Sequence, residues 1–140
     1  MEDNQADVFL IREAIDGAKV NAEIHVVYDG EQATRYCADI AADDSLPAPA
    51  LVILDINLPK KQGGEVLGDM RKSERCKDAL VLVVTSSDSD ADRVEMARRG
   101  ANGYFRKPSD FEAYMKLGGI VKQLLESKTA PPSPDRAGLA

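Results

Sequence analysis

Leu51-Val52-Ile53-Leu54-Asp55-Ile56-Asn57-Leu58-Pro59 is the stretch that decides the fold. It opens on an unbroken apolar run. A strand buried on one face alternates apolar and polar residues, whereas a strand covered on both faces reads as continuous hydrophobe, the mark of a parallel sheet between helices. Leu80-Val81-Leu82-Val83-Val84 repeats the pattern. Between the two runs, Gly64–Lys72 has helical composition, with Val66, Leu67 and Met70 on one side. That is a strand–helix–strand unit with a crossover.

Working outward, Glu23–Tyr28 is a further candidate strand, with apolar Ile24, Val26 and Val27, and Tyr104-Phe105 is a short one. Helices are expected at Ala6–Asp16, Glu31–Ala42, Asp90–Arg99 and Asp110–Ser127, each starting near an aspartate, serine or glycine. Gly118-Gly119 should make the last helix less rigid, at about 1 kcal/mol per glycine against alanine. Alternating strands and helices give an α/β doubly wound parallel sheet. Asp43–Ala50 is a longer loop before Leu51. Residues 1–127 read as one domain. Residues 128–140, rich in proline and small side chains, read as a disordered tail with no second folded region.

Composition narrows the function classes. The 140 residues hold 18 Lys plus Arg against 24 Asp plus Glu, a formal charge of −6. That balance argues against nucleic acid and against an anionic membrane surface as partners. No apolar run approaches the ~18 residues of a membrane span. Met1-Glu2-Asp3-Asn4 is acidic where a secretory signal needs basic residues, so the cytoplasm is the expected compartment. Cys37 and Cys76 have no disulfide or metal-ligand pattern.

Open parallel sheets bind ligands outside the carboxyl ends of their strands. Asp55 comes after the first run, Thr85-Ser86-Ser87 after the second, and Lys107-Pro108 after Tyr104-Phe105-Arg106. Glu2-Asp3 stands just before the first helix. Clustered carboxylates repel unless a cation neutralises them, and Mg²⁺ is held by one or two carboxylates plus water and phosphate oxygens. Lys107 is a point charge suited to a phosphoryl oxygen, Thr85 a hydroxyl donor, and Asp55 a nucleophile able to form an acyl phosphate. Singly, each has a plainer reading: a helix cap, a core-edge threonine, a solvated turn, a solvated terminus. Their order at successive strand ends is the specific signal.

These segments together (Glu2-Asp3-Asn4, Leu51–Pro59, Val83-Val84-Thr85-Ser86 and Gly100–Pro108) resemble the receiver domains of two-component response regulators, over about residues 2 to 126. Asn57–Leu67 and the long loop before Leu51 look most like single-domain regulators that partner bacterial and cyanobacterial phytochrome kinases. The resemblance implies a phosphoacceptor that assists its own phosphorylation and dephosphorylation, not an enzyme. Asp55 would accept the phosphoryl group from a sensor histidine kinase. Glu2, Asp3, Asp55 and the Asn57 carbonyl would serve Mg²⁺. Thr85 and Lys107 would bind phosphoryl oxygens, and Tyr104 would be the switch aromatic. Asn57 and Ser87 would flank the attacking water. Pro108 matches a position where the family usually has a cis peptide. Output would pass to a downstream protein target, and surplus apolar positions on the last helix (Phe111, Met115, Ile120, Val121, Leu124, Leu125) could serve a homodimer contact.

One departure stands out. A receiver has a central first strand immediately before its acidic pair, and here Met1 occupies that place. The strand could be truncated, supplied by another chain, or replaced by repacking; an impaired metal site is expected unless the gap is filled. The competing readings are weaker or different in kind. An aspartyl-phosphate hydrolase of the haloacid dehalogenase type needs aspartate where Asn57 stands. A flavodoxin-like carrier needs a phosphate loop. A receiver-fold interaction module that is never phosphorylated is the serious rival. His25, the sole histidine, reads as structural or exposed.

Overall fold

Leu51–Leu54 and Leu80–Thr85 form adjacent parallel strands, Leu51 opposite Leu80 and Leu54 opposite Val83. The second of these also pairs in parallel with Gly103–Arg106, Leu82 opposite Gly103. In this computed structural model, which describes residues 1–129, the order is α1 (Gln5–Gly17), α2 (Gly30–Ala42), β1 (Leu51–Leu54), α3 (Gly63–Lys72), β2 (Leu80–Thr85), α4 (Asp90–Arg98), β3 (Gly103–Arg106) and α5 (Phe111–Thr129). The sheet order is β1-β2-β3.

The continuous apolar run of β2 has its cause in the layers around it. Val81 and Val83 enter one core cluster, with Leu54, Val66, Leu67 and Met70; Leu82 and Val84 enter the other, with Ile11, Ile15, Leu117 and Val121. A strand's side chains alternate between faces, so a strand with helices on both faces needs an apolar residue at every position. Helix starts are capped as their residues suggest. Asn4, Asp29 and Ser89 accept from the backbone N–H groups of Asp7, Gln32 and Asp92 at 3.1, 2.8 and 3.3 Å.

The strand expected at Glu23–Tyr28 does not form. Ile24 of this segment packs into one cluster and Val27 into the other, yet the segment joins no ladder. A strand is made by its neighbour's hydrogen bonds, and the neighbour it would share with β1 is missing among the described residues. Met1 and Glu2 bridge that gap at a single level. The Met1 ammonium donates to the Ile53 carbonyl at 2.8 Å, Asp55 N–H donates to the Met1 carbonyl at 3.1 Å, and Glu2 N–H donates to the Val27 carbonyl at 3.0 Å. Beyond Met1 the gap continues as a slot of ≈ 230 Å³ whose walls include Ile11, Ile24, Val26, Leu51, Ile53 and Val121. Burial of the Met1 amino group lowers its pKa to about 6, even though the charges of Glu2 and Asp55 pull the other way.

α1 and α5 pack closely because Gly118 has no side chain: a Cβ there would stand 2.1 Å from the Ala14 carbonyl oxygen. The Gly118-Gly119 pair therefore serves packing on one side, while Gly119 faces open space. Most apolar positions of α5 are core or half-buried, with Phe111 exposed. The helix continues to Thr129, two residues past the expected boundary, and the remaining tail, 130–140, lies outside the described residues. The long loop 43–50 is held by Arg75, whose guanidinium donates to the carbonyls of Ile40, Asp43 (2.8 Å) and Leu46 (2.6 Å). Among the described residues no helix is long and apolar enough to cross a membrane.

Candidate functional site

Parallel strands in register end together, so the residues at their carboxyl ends meet along one edge of the sheet. Asp55 stands just past β1, Thr85 closes β2 and Lys107 stands just past β3. Lys107 N–H donates to the Thr85 carbonyl at 2.7 Å, which ties two of these ends directly. The Lys107 ammonium donates to Asp55 Oδ2 at 2.8 Å, to Asp7 Oδ2 at 2.9 Å and to Glu2 Oε1. Glu2 is carried there by the Met1 bridge. Buried Glu2, exposed Asp3 and buried Asp55 each offer a carboxylate oxygen within 4.8 Å of the others.

The arrangement separates the two buried acids. Burial raises Glu2, and the charge of Asp55 adds to this; against the Lys107 hydrogen bond the result is a pKa of about 7. Burial also opposes ionisation of Asp55. There, however, the Lys107 hydrogen bond, the Asn57 N–H at 3.0 Å, the Lys107 charge and the Thr85 hydroxyl together hold the carboxyl below its ordinary range. Asp55 is thus the acid kept ionised. Burial works against the Lys107 ammonium, but its hydrogen bonds to Asp55, Glu2 and Asp7 outweigh it and raise its pKa. Glu2, Asp7 and Asp55 surround one ammonium with Asp3 beside them, so the cluster keeps surplus negative charge that a divalent cation would neutralise. The donor set, hard carboxylate oxygens at short mutual distance, fits such an ion.

The backbone around Asp55 is tightly constrained. Gly63 N–H donates to the Ile56 carbonyl at 2.8 Å, and a Cβ on Gly63 would stand 2.3 Å from the Asp55 carbonyl oxygen. Only glycine lets α3 start this close to the acid. Thr85 is fully buried, and its hydroxyl accepts from Ser87 N–H at 3.4 Å. Ser87 commits its own hydroxyl to Asp92 Oδ2 at 2.6 Å. Tyr104 is half-buried against the core; its hydroxyl donates to the Ser87 carbonyl at 3.1 Å, and the Arg93 guanidinium lies 4.9 Å above its ring.

Of the residues expected from sequence, Glu2, Asp3, Asp55, Thr85 and Lys107 meet at one edge. Asn57 contacts Asp55 through its backbone N–H, with the residue itself exposed. Tyr104 stands one residue group away, through Ser87. His25 is exposed and pairs with Glu23 at 3.1 Å. Among the described residues no cis peptide bond occurs, so the bond before Pro108, whose isomer the sequence left open, is trans. Two participants were not expected: Asp7, and Tyr114, whose hydroxyl donates to Asp7 Oδ1 at 3.1 Å. In sequence Asp7 is an ordinary first-turn acid and Tyr114 an ordinary core aromatic, and no local signal separates them from others of their kind.

The response regulator receiver domain family matches the chain over residues 1–117. Response regulator Rcp1 of Synechocystis sp. is 30% identical over 132 residues, covering 94% of this chain and 90% of Rcp1. The crystal structure of the Mn²⁺-bound form of Rcp1 superposes with a TM-score of 0.81 at 30% identity, covering 94% of this chain and 96% of that one. The phosphorylated cyanobacterial phytochrome response regulator RcpA superposes with a TM-score of 0.81 at 30% identity, covering 95% of each chain.

Proposed function

The chain belongs to the response regulator receiver family, and on that premise we propose that it accepts a phosphoryl group on Asp55 from a phosphohistidine of a sensor histidine kinase and thereby switches its contacts with a downstream protein. The observation that carries the reading is the meeting of Asp55, Thr85 and Lys107 at one strand edge beside Glu2 and Asp3. The likeness to RcpA, a cyanobacterial phytochrome response regulator, favours a phytochrome-type kinase as donor.

The residues dictate the chemistry. An ionised Asp55 oxygen attacks phosphorus; the new O–P bond forms as the N–P bond of the phosphoimidazole breaks, and the imidazole leaves with the bonding pair and takes up a proton. Glu2, Asp3, Asp55 and the Asn57 carbonyl would hold Mg²⁺, which when bound neutralises the carboxylates and the incoming phosphoryl charge. Lys107 stays beside the new oxygens as a fixed positive charge. Thr85, buried next to Asp55, donates to another phosphoryl oxygen. Tyr104, linked through Ser87 to the turn after Thr85, is the group that would register that shift. Positioning and charge neutralisation are what phosphoryl transfer requires of a protein.

Intact mass after incubation with Mg²⁺ and acetyl phosphate tests this. One phosphoryl mass should be gained, and Asp55→Asn should abolish it. A gain that survives Asp55→Asn refutes the assignment. No gain at all supports the second reading, an interaction module that keeps the fold without the chemistry. What favours that alternative is that Glu2 and Asp55 are already neutralised by direct ion pairs with Lys107. The exposed Phe111 on α5 is where a homodimer contact would be sought, by sedimentation with and without phosphodonor.

A further inference from the structure

Lys107 has three carboxylate partners, and they are not equivalent. Glu2 and Asp55 belong to the group whose oxygens lie close enough to share a cation; Asp7 does not. Asp7 is instead fixed from two helices. It sits in the first turn of α1, where its backbone N–H donates to Asn4, and its other carboxylate oxygen accepts from the Tyr114 hydroxyl of α5. Tyr114 is buried, with its ring edge-on to Phe105 at 6.1 Å between centroids. The two helices are locked by the close approach at Gly118.

We propose that Asp7, braced by Tyr114, is a positioning residue that keeps the Lys107 ammonium aimed at Asp55 when a divalent cation draws Glu2 and Asp55 to itself. The proposal rests on Lys107 as the phosphoryl partner and extends that role. A dication attracts a shared carboxylate more strongly than an ammonium does. On metal binding, Lys107 therefore loses much of its hold on two of its three partners. Its stem is flexible, and an unanchored ammonium would swing into solvent. Asp7 lies outside the metal group, so it retains the ammonium within reach of the position that phosphoryl oxygens will take. An acid in a first turn also complements the helix dipole. That role alone leaves unexplained why a buried hydroxyl from another helix is spent on the same carboxylate.

Two measurements test it, on the chain and on Asp7→Asn, Asp7→Glu, Tyr114→Phe and the Asp7→Asn/Tyr114→Phe double variant, all at a temperature where circular dichroism shows each folded. The first is acetylation of Lys107 by acetic anhydride at saturating Mg²⁺, read by peptide mass. Asp7→Asn should speed it at least about tenfold, the loss expected for one charge-assisted hydrogen bond, and Asp7→Glu should restore slow labelling. The second is the rate of Asp55 modification by acetyl phosphate. Asp7→Asn should lower the maximal rate about tenfold, as displaced groups do, with the half-saturating donor concentration unchanged. Tyr114→Phe should lower that rate by less, and should cost nothing more once Asp7 is asparagine. Equal Lys107 labelling in the chain and in Asp7→Asn overturns the proposal, as does a Tyr114→Phe effect that simply adds to that of Asp7→Asn. If Asp55 is not modified in the unaltered chain, the functional reading fails instead, and the labelling result alone decides the role of Asp7.

Discussion

The two sides of the sheet support the same site in unequal ways. β2 is paired on both edges and buried along Val81–Thr85, and with β3 it delivers Thr85 and the backbone that leads to Lys107. Among the described residues β1, like β3, is paired on one edge only. Its far side meets Met1 at one level and then the open slot, and there Leu51 and Ile53 are only half-buried. That weaker side delivers Asp55, Glu2 and Asp3. The Thr85 hydroxyl thus rests on a strand paired on both edges, the carboxylates on one paired on a single edge. What the difference teaches is that convergence of a site and rigidity of a site are separate properties: the first needs strands that end together, the second needs each strand to have its neighbours.

The largest expected effect tests whether the asymmetry is energetic. Leu82→Ala in β2 should destabilise by about 3–4 kcal/mol, while Ile53→Ala in β1 should cost roughly 1 kcal/mol, because a half-buried side chain has less to lose and leaves a smaller cavity. Urea unfolding with matched slopes measures both, and equal losses would dissolve the comparison. Next, a variant with about five apolar, β-branched-rich residues placed ahead of Met1 should fill the slot. Its melting temperature should rise by at least ~5 °C, and Mg²⁺ should bind more tightly, by calorimetric titration, than in the chain that starts at Met1. Unchanged melting and unchanged affinity would mean that the slot is not what loosens the carboxylate side.

A pH experiment sharpens the same point. The Met1 amino group has a pKa lowered from 8.0 to about 6 in the fold. The unfolded chain therefore binds more protons between those values, so this group's contribution makes stability rise as pH goes from about 6 to about 8, by on the order of 2 kcal/mol. The extended variant carries an amide there and should lack that rise. Thermal melts at steps across the range compare the two. The smallest effect is expected at the rim of the slot: His25→Ala, exposed, should change stability by no more than about 0.5 kcal/mol.

The fold was legible wherever one residue type could serve both a local and a tertiary need. The unbroken hydrophobe of Leu51–Leu54 and Leu80–Val84 forced strands covered on both faces, and helix starts near Asp29 and Ser89 followed from side chains that accept from backbone N–H groups. Glu23–Tyr28 misled because β composition reports a side chain's fit to a pleated surface, and the residues do fit, Ile24 on one face and Val27 on the other. A ladder also requires a neighbour, which the segment's own residues cannot provide. In the site, Asp55, Thr85 and Lys107 could be read because strand ends are places the chain order itself predicts. Asp7 and Tyr114 could not. Their meeting depends on the α1–α5 crossing, set by Gly118 against Ala14, and no motif encodes a helix-to-helix distance.

Arg75 grips the loop before β1 through carbonyl oxygens alone, those of Ile40, Asp43 and Leu46. Every amino acid carries that atom, so the clamp is indifferent to what the loop displays. Beyond Ser45, whose hydroxyl donates to Asp43 Oδ1 at 2.6 Å, side chains across 46–50 are thereby released from any duty of holding their own segment in place. Substitution there can retune an outward-facing contour while the path of the main chain into the sheet stays as it is, and variety is tolerated because the fastening ignores it.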